Sequence, residues 1–281
     1  MIKIIDTSSK IETLFDNGNF NIEKWQSYIN SVYESSASIF KEDLREAGYS
    51  YEKDILPILN AVYNNPKSEY LHSSFYSVTE GLNEKINCRF RCELDVDVVL
   101  YMGLCNAAGW VTAINGRDVI LLGIEKILEL DWCDIDSMHG LIYHELGHVY
   151  HKQHGNWHQT SADNSKSFVW QLFCEGIAMC FEQDLIGDPE YFHQNRCGWK
   201  EWCDTHYEQI LSDFHSDLRT MTRSNQRYFG DWVSYRGKGD VGYYLGARLV
   251  RHLLNKYSTK ELINMDINEV YKEYLLFAKS N

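Results

Sequence analysis

Five consecutive residues, His144-Glu145-Leu146-Gly147-His148, constrain this chain more than any other stretch. On a helix, side chains four apart leave the same face, so both imidazoles can reach one ion and Glu145 stands beside them within reach of an ion-bound water. The surroundings fit a helix. From Asp136 to Tyr150, Met138, Leu141, Ile142, Leu146 and Val149 recur at helical intervals, with Asp136 or Ser137 placed to cap the first turn. Leu141, His144, Glu145 and His148 then share a buried stripe, and two imidazoles in such a stripe need a partner that a metal supplies.

A hydrolytic zinc site takes three protein ligands and leaves a fourth position open. Two residues compete for the third place. Glu175, in Phe173-Cys174-Glu175-Gly176-Ile177-Ala178, interrupts an apolar stripe of Phe168, Leu172 and Met179 on a helix expected over 166–184. A carboxylate there is costly unless a cation compensates it. Gly176, Ala178 and Gly147 are small enough to let the two helices approach. The rival is His154, because His144 through His154 follows the metzincin spacing HExxHxxGxxH in all but one position. That position, glycine in the pattern, is His151 here. Glycine allows the sharp turn that brings the last His back to the metal. His151 and His154 therefore read as the polar end of the helix, where cations suit the dipole, and Glu175 is the preferred ligand.

With Glu-Gly-Ile-Ala beginning 27 residues after His148, the chain resembles the gluzincin group of zinc peptidases, which includes thermolysin-like proteases and leucyl/alanyl aminopeptidases. It is more similar still to an uncharacterised family of predicted zinc proteases that carry a late Tyr-rich, Gly-rich helix. The resemblance spans roughly residues 90–260 and implies one Zn2+ per chain on His144, His148 and Glu175, with Glu145 as general base. It further implies a phenol from a Tyr-x-x-Gly element, matched by Tyr243 and Gly246 in Tyr243-Tyr244-Leu245-Gly246, with Tyr244 as the fallback. Two departures stand out. Met179 occupies the position where thermolysin-like enzymes have an Asp, and the Gly-x-Met-Glu-Asn signature of the aminopeptidases is absent. Asn106-Ala107, within 105–110, weakly resembles the edge segment by which thermolysin-like enzymes grip peptide backbone.

The fold expected is α+β and mostly helical: a helical region over 1–88, then a zincin-like domain over 89–281 with a small mixed sheet and the HExxH helix. Phe20, Ile22, Trp25, Ile29, Val32, Ile39 and Leu44 predict one long amphipathic helix ended by Gly48, and 51–63 begins another. Strand character runs from Glu93 to Met102, and strands at 110–114 and 119–122 flank the hairpin signal Asn115-Gly116. Capping boxes are expected at Ser258 to Glu261 and Asp266 to Glu269.

A net charge of −13 argues against a nucleic-acid partner. No apolar run approaches membrane-spanning length, and the start of the chain carries no leader pattern, so the expected setting is cytoplasmic with the eight cysteines reduced. The segment 223–240 gathers Arg223, Arg227, Arg236 and Lys238 before Tyr243, and Arg236 is a candidate for a substrate carboxylate. The function expected is zinc-dependent hydrolysis of a peptide or protein substrate lying along an edge strand near 106–113. The alternatives are a metzincin-like protease using His154, or a zinc-binding regulator without catalysis.

Overall fold

A computed structural model describes every residue except 35, 39, 43–48, 231, 232 and 281. The chain divides into two compact units, Met1–Glu145 and Leu146–Asn281.

The first unit is built on a four-stranded mixed sheet. Strand β1 (Lys3–Asp6) lies at one edge; a small separate hairpin follows, β2 (Phe15–Asp16) with β3 (Asn19–Phe20). The large sheet is completed by β4 (Val96–Tyr101), β5 (Gly109–Ile114) and β6 (Arg117–Gly123), in the order β1-β4-β6-β5. β4 is parallel to both β1 and β6, while β5 runs antiparallel on the far side of β6. Every residue of β4 is buried, as its run of Val and Leu requires at the centre of a sheet. Its one acid, Asp97, accepts hydrogen bonds from Arg117 Nε at 2.5 Å and Tyr33 Oη at 2.9 Å. Asn115 and Gly116 both have positive φ, 52° and 79°, the pairing that a two-residue hairpin of the primed type demands.

Two expectations for this unit change. Residues 1–88 are not helical throughout, since β1 joins the sheet in register with β4 (Lys3 opposite Asp97). The amphipathic helix α1 (Ile22–Val32) is capped by the Asn21 side chain and buries Trp25, Tyr28 and Ile29, but Tyr33 is extended and ends it; the longer helices that follow in this unit are α2 (Ser68–Thr79) and α3 (Leu82–Phe90). Ile39, Leu44 and Gly48, which the periodicity placed on the same helix, lie outside the described residues.

In the second unit the axis is α5 (Asn164–Ile186), preceded by α4 (Glu145–His154) and followed by α6 (Trp199–Thr205), α7 (Tyr207–Asp217), α8 (Val241–Leu253) and α9 (Ile267–Ser280). From Val169 to Gln183 nearly every residue of α5 is buried, so it is wrapped on all sides rather than on one stripe. α8 runs alongside it at backbone contact: a Cβ on Gly176 would fall 2.2 Å from the Gly246 carbonyl oxygen, and one on Gly246 2.4 Å from that of Leu172. The pairs advance together along both helices, from Gly176 with Gly246 to Cys180 with Arg251. Ser258 and Glu261 form the expected capping box, and Asp266 and Glu269 bond each other's backbone N–H in the same way. No helix among the described residues is long and apolar enough to cross a membrane.

Candidate metal centre

The helical run carrying the HExxH motif starts at Ile135. Its cap is Asp134, whose carboxylate accepts from the Ser137 N–H at 2.9 Å, rather than Asp136 or Ser137. A wider π-turn, Gly140–His144, leads into α4. Such turns change the facing of a helix locally and recur at functional sites. The division between the two units falls within this run, after Glu145.

Gly147, between the two histidines, is where α4 meets α5. A Cβ there would lie 2.6 Å from Ala178 Cα, so the two backbones touch one turn beyond Glu175. The small residues at 147 and 178 act as the sequence predicts, whereas Gly176 serves the contact with α8. His144, His148 and Glu175 come together with one ligand atom from each within 4.8 Å of the others. His148 Nε2 is 3.3 Å from Glu175 Oε2. His144 is buried, and the side chains of His148 and Glu175 are 14% and 15% exposed, so the group is largely screened from solvent. Two imidazoles and a carboxylate are a zinc donor set, and tetrahedral ligands held at about 2.0–2.2 Å from an ion lie roughly 3.5 Å apart, a contraction of at most about 1–1.5 Å from this arrangement.

The two histidines that follow are not equivalent. His154 is exposed, its ring 5.5 Å from that of Tyr150. His151 is fully buried against Trp170 and Phe173, each 5.8 Å away. Burial, reinforced by the His148 imidazole and partly opposed by the Ile263 backbone, lowers its pKa to about 4. It is therefore neutral at pH 7 and contributes no charge to the helix end, contrary to the sequence expectation.

Of the two candidate phenols, Tyr244 is committed elsewhere: it is buried, its hydroxyl donates to Asp204 at 2.7 Å, and Arg248 lies 5.0 Å over its ring. Tyr243 is half-buried in the first turn of α8, with Phe229 6.2 Å from its ring. Arg236 has an acid neighbour, Asp213 at 3.6 Å, and its guanidinium lies 5.5 Å over Tyr235. Arg227 pairs with Asp217 at 3.0 Å. Much of the positive charge in the 223–240 segment is thus matched within the second unit.

In the first unit, β5 is the edge strand the sequence suggests. Its first residue, Gly109, packs on the helical run one turn before His144, since a Cβ there would be 3.0 Å from Leu141 Cδ2. The Asn106 side chain is used within the protein, accepting from the Leu104 N–H at 3.2 Å and donating to the Phe40 carbonyl at 3.1 Å. The Ala107 carbonyl is directed at Gly123, where a Cβ would approach it to 2.6 Å.

Sequence reasoning missed Glu125. Its carboxyl is fully buried and accepts the N–H groups of Gly103 (2.8 Å) and Cys105 (2.9 Å), fixing the segment that leads into β5. The available signal was a single acid in the apolar stretch Leu121-Leu122-Gly123-Ile124-Glu125-Lys126-Ile127. Burial raises its pKa to about 7, opposed by those backbone hydrogen bonds and by Lys126. A folded-state value above the ordinary carboxyl value near 4.5 means that folding favours the proton, so stability from this group is full below about pH 4.5 and declines through about pH 7. Urea unfolding of wild type should accordingly show stability falling between pH 5 and 8. Glu125→Gln should lose that part of the slope while being less stable at pH 5, because its NH2 group faces a backbone donor. Equal slopes in the two proteins would refute the assignment.

Comparison with known protein families, with curated proteins and with solved structures gave no match.

Proposed function

We propose that the protein is a zinc-dependent peptidase. The observation that carries this reading is the convergence of His144, His148 and Glu175, from one helical run and the helix it crosses, on one point with ligand atoms within 4.8 Å. Zinc bound there would lower the pKa of a water and polarise a carbonyl. Glu145, adjacent to the first candidate ligand in sequence and partly exposed, would serve as the general base, accepting a proton from the attacking water on its carboxylate and passing it to the leaving amine. Tyr243 donates a hydrogen bond to the oxyanion as negative charge builds on it. The outer edge of β5, which no strand among the described residues pairs, suits an extended peptide, whose backbone would continue the sheet. The donor set and the carboxylate beside it favour hydrolysis over metal storage, which needs no general base.

Digestion of a mixed peptide library followed by mass spectrometry tests the reading and separates internal from terminal cleavage. Wild type should cut, and Tyr243→Phe should lower kcat by about ten to a thousandfold with zinc content unchanged. A zinc-loaded wild type that cleaves nothing across the library would refute the peptidase assignment.

A further inference from the structure

The metal reading uses donor atoms and leaves the aromatic cluster beside them without a role. Trp157 stands in the segment leaving α4, half-buried, with its ring 5.4 Å from the His148 imidazole at an interplanar angle of 63°. On its other contact it meets His151, edge to face at 5.3 Å and 85°. His151 is backed by Trp170 and Phe173, which pack on each other at 5.5 Å. The indole is therefore set against a buried aromatic layer.

The chain holds Trp157 there by backbone contacts. Gly155 lies so close to Ile263 that a Cβ would be 2.2 Å from its carbonyl oxygen, and the Asn156 N–H donates to that oxygen at 2.7 Å. Gln159 closes the turn, donating its N–H to the Trp157 carbonyl at 2.9 Å and its side-chain amide to Asn156 Oδ1 at 2.6 Å.

An imidazole offers a metal one lone pair in the plane of its ring, so a ring that rotates about its Cβ–Cγ bond loses the ion. Hydrogen-bonded partners behind a ligand, which fix the same rotation, commonly contribute a factor of about 10–100 in metal affinity, and a ring packed on the imidazole constrains it by contact instead. Resting on the zinc-site reading, we propose that Trp157 is a positioning residue for His148: its indole, braced by His151, holds the imidazole in the orientation that points Nε2 toward Glu175. His144, His148 and His151 share one helix face. The first two donate to the ion, and the third, neutral and enclosed, supports the indole.

The test is metal binding by the full chain, with cobalt(II) as a coloured substitute for zinc. Trp157→Ala should weaken zinc binding, measured by competition with a chromophoric chelator, by about 10–100-fold, and should alter the visible cobalt band. Trp157→Phe keeps a flat apolar surface and should restore most of the affinity and the wild-type band. Cobalt should also quench tryptophan emission in wild type by a larger share than in Trp157→Phe, a measurement that stands even if the alanine variant does not fold. Wild-type affinity and an unchanged band in Trp157→Ala, or equal quenching in wild type and Trp157→Phe, would overturn the role of Trp157 alone. A wild-type chain that takes up neither metal would overturn the zinc site and this proposal together.

Discussion

Purified wild-type protein should carry about one zinc ion per chain, and His148→Ala and Glu175→Ala should each lose nearly all of it, while His154→Ala should keep it. Elemental analysis of the four proteins reads this directly. The effect is large because a three-ligand site reduced to two loses both a bond and the charge balance that makes burial of the rest tolerable. Glu175 sits on a helix that is buried on all sides, 3.3 Å from His148 Nε2, so its carboxylate has the most to lose without a cation. His154, exposed against Tyr150, has no such surroundings. Zinc lost in His154→Ala and retained in Glu175→Ala would reverse the ligand assignment and move the site to the metzincin pattern.

Glu145→Gln should leave zinc in place yet reduce peptide cleavage by on the order of a hundredfold or more. The amide has the shape of the carboxylate but cannot accept a proton from water, so the substitution removes the chemical step and spares the metal. The pair of measurements matters more than either alone: loss of zinc together with activity would mark Glu145 as a structural or ligand residue, and full activity with zinc present would exclude it as the base.

The candidate metal ligands were legible because the spacing that metal chemistry demands leaves a trace in sequence. Two histidines four apart can address one ion only on a helix, and an acid inside an apolar stripe asks for a counter-charge. That second signal is incomplete, since α5 carries another buried acid, Glu182, which is matched by His193 Nδ1 at 3.0 Å. What separates Glu175 from Glu182 is the helix crossing at Gly147, a tertiary contact. β5 and β6 were readable from Asn115-Gly116, whereas β1 was not, because four residues near a terminus become a strand only through pairing with β4. Arg236 and Asn106 were legible only as residue types that suit substrate contact; that Asp213 and the Phe40 carbonyl, both distant in sequence, engage them is a tertiary fact with no local trace.

The meeting of α4 and α5 at Gly147 and Ala178 is a contact of main chain with main chain. Where helices are separated by a layer of side chains, every substitution in that layer alters their spacing, and a ligand set spread over both would wander as the core drifts in evolution. At this crossing the nearest atoms to Gly147 are the Ala178 backbone, with the Cβ of Phe181 beside them. The reach from the histidines to Glu175 is insulated from exchanges among the bulky residues around it, and its fidelity depends on two positions staying small.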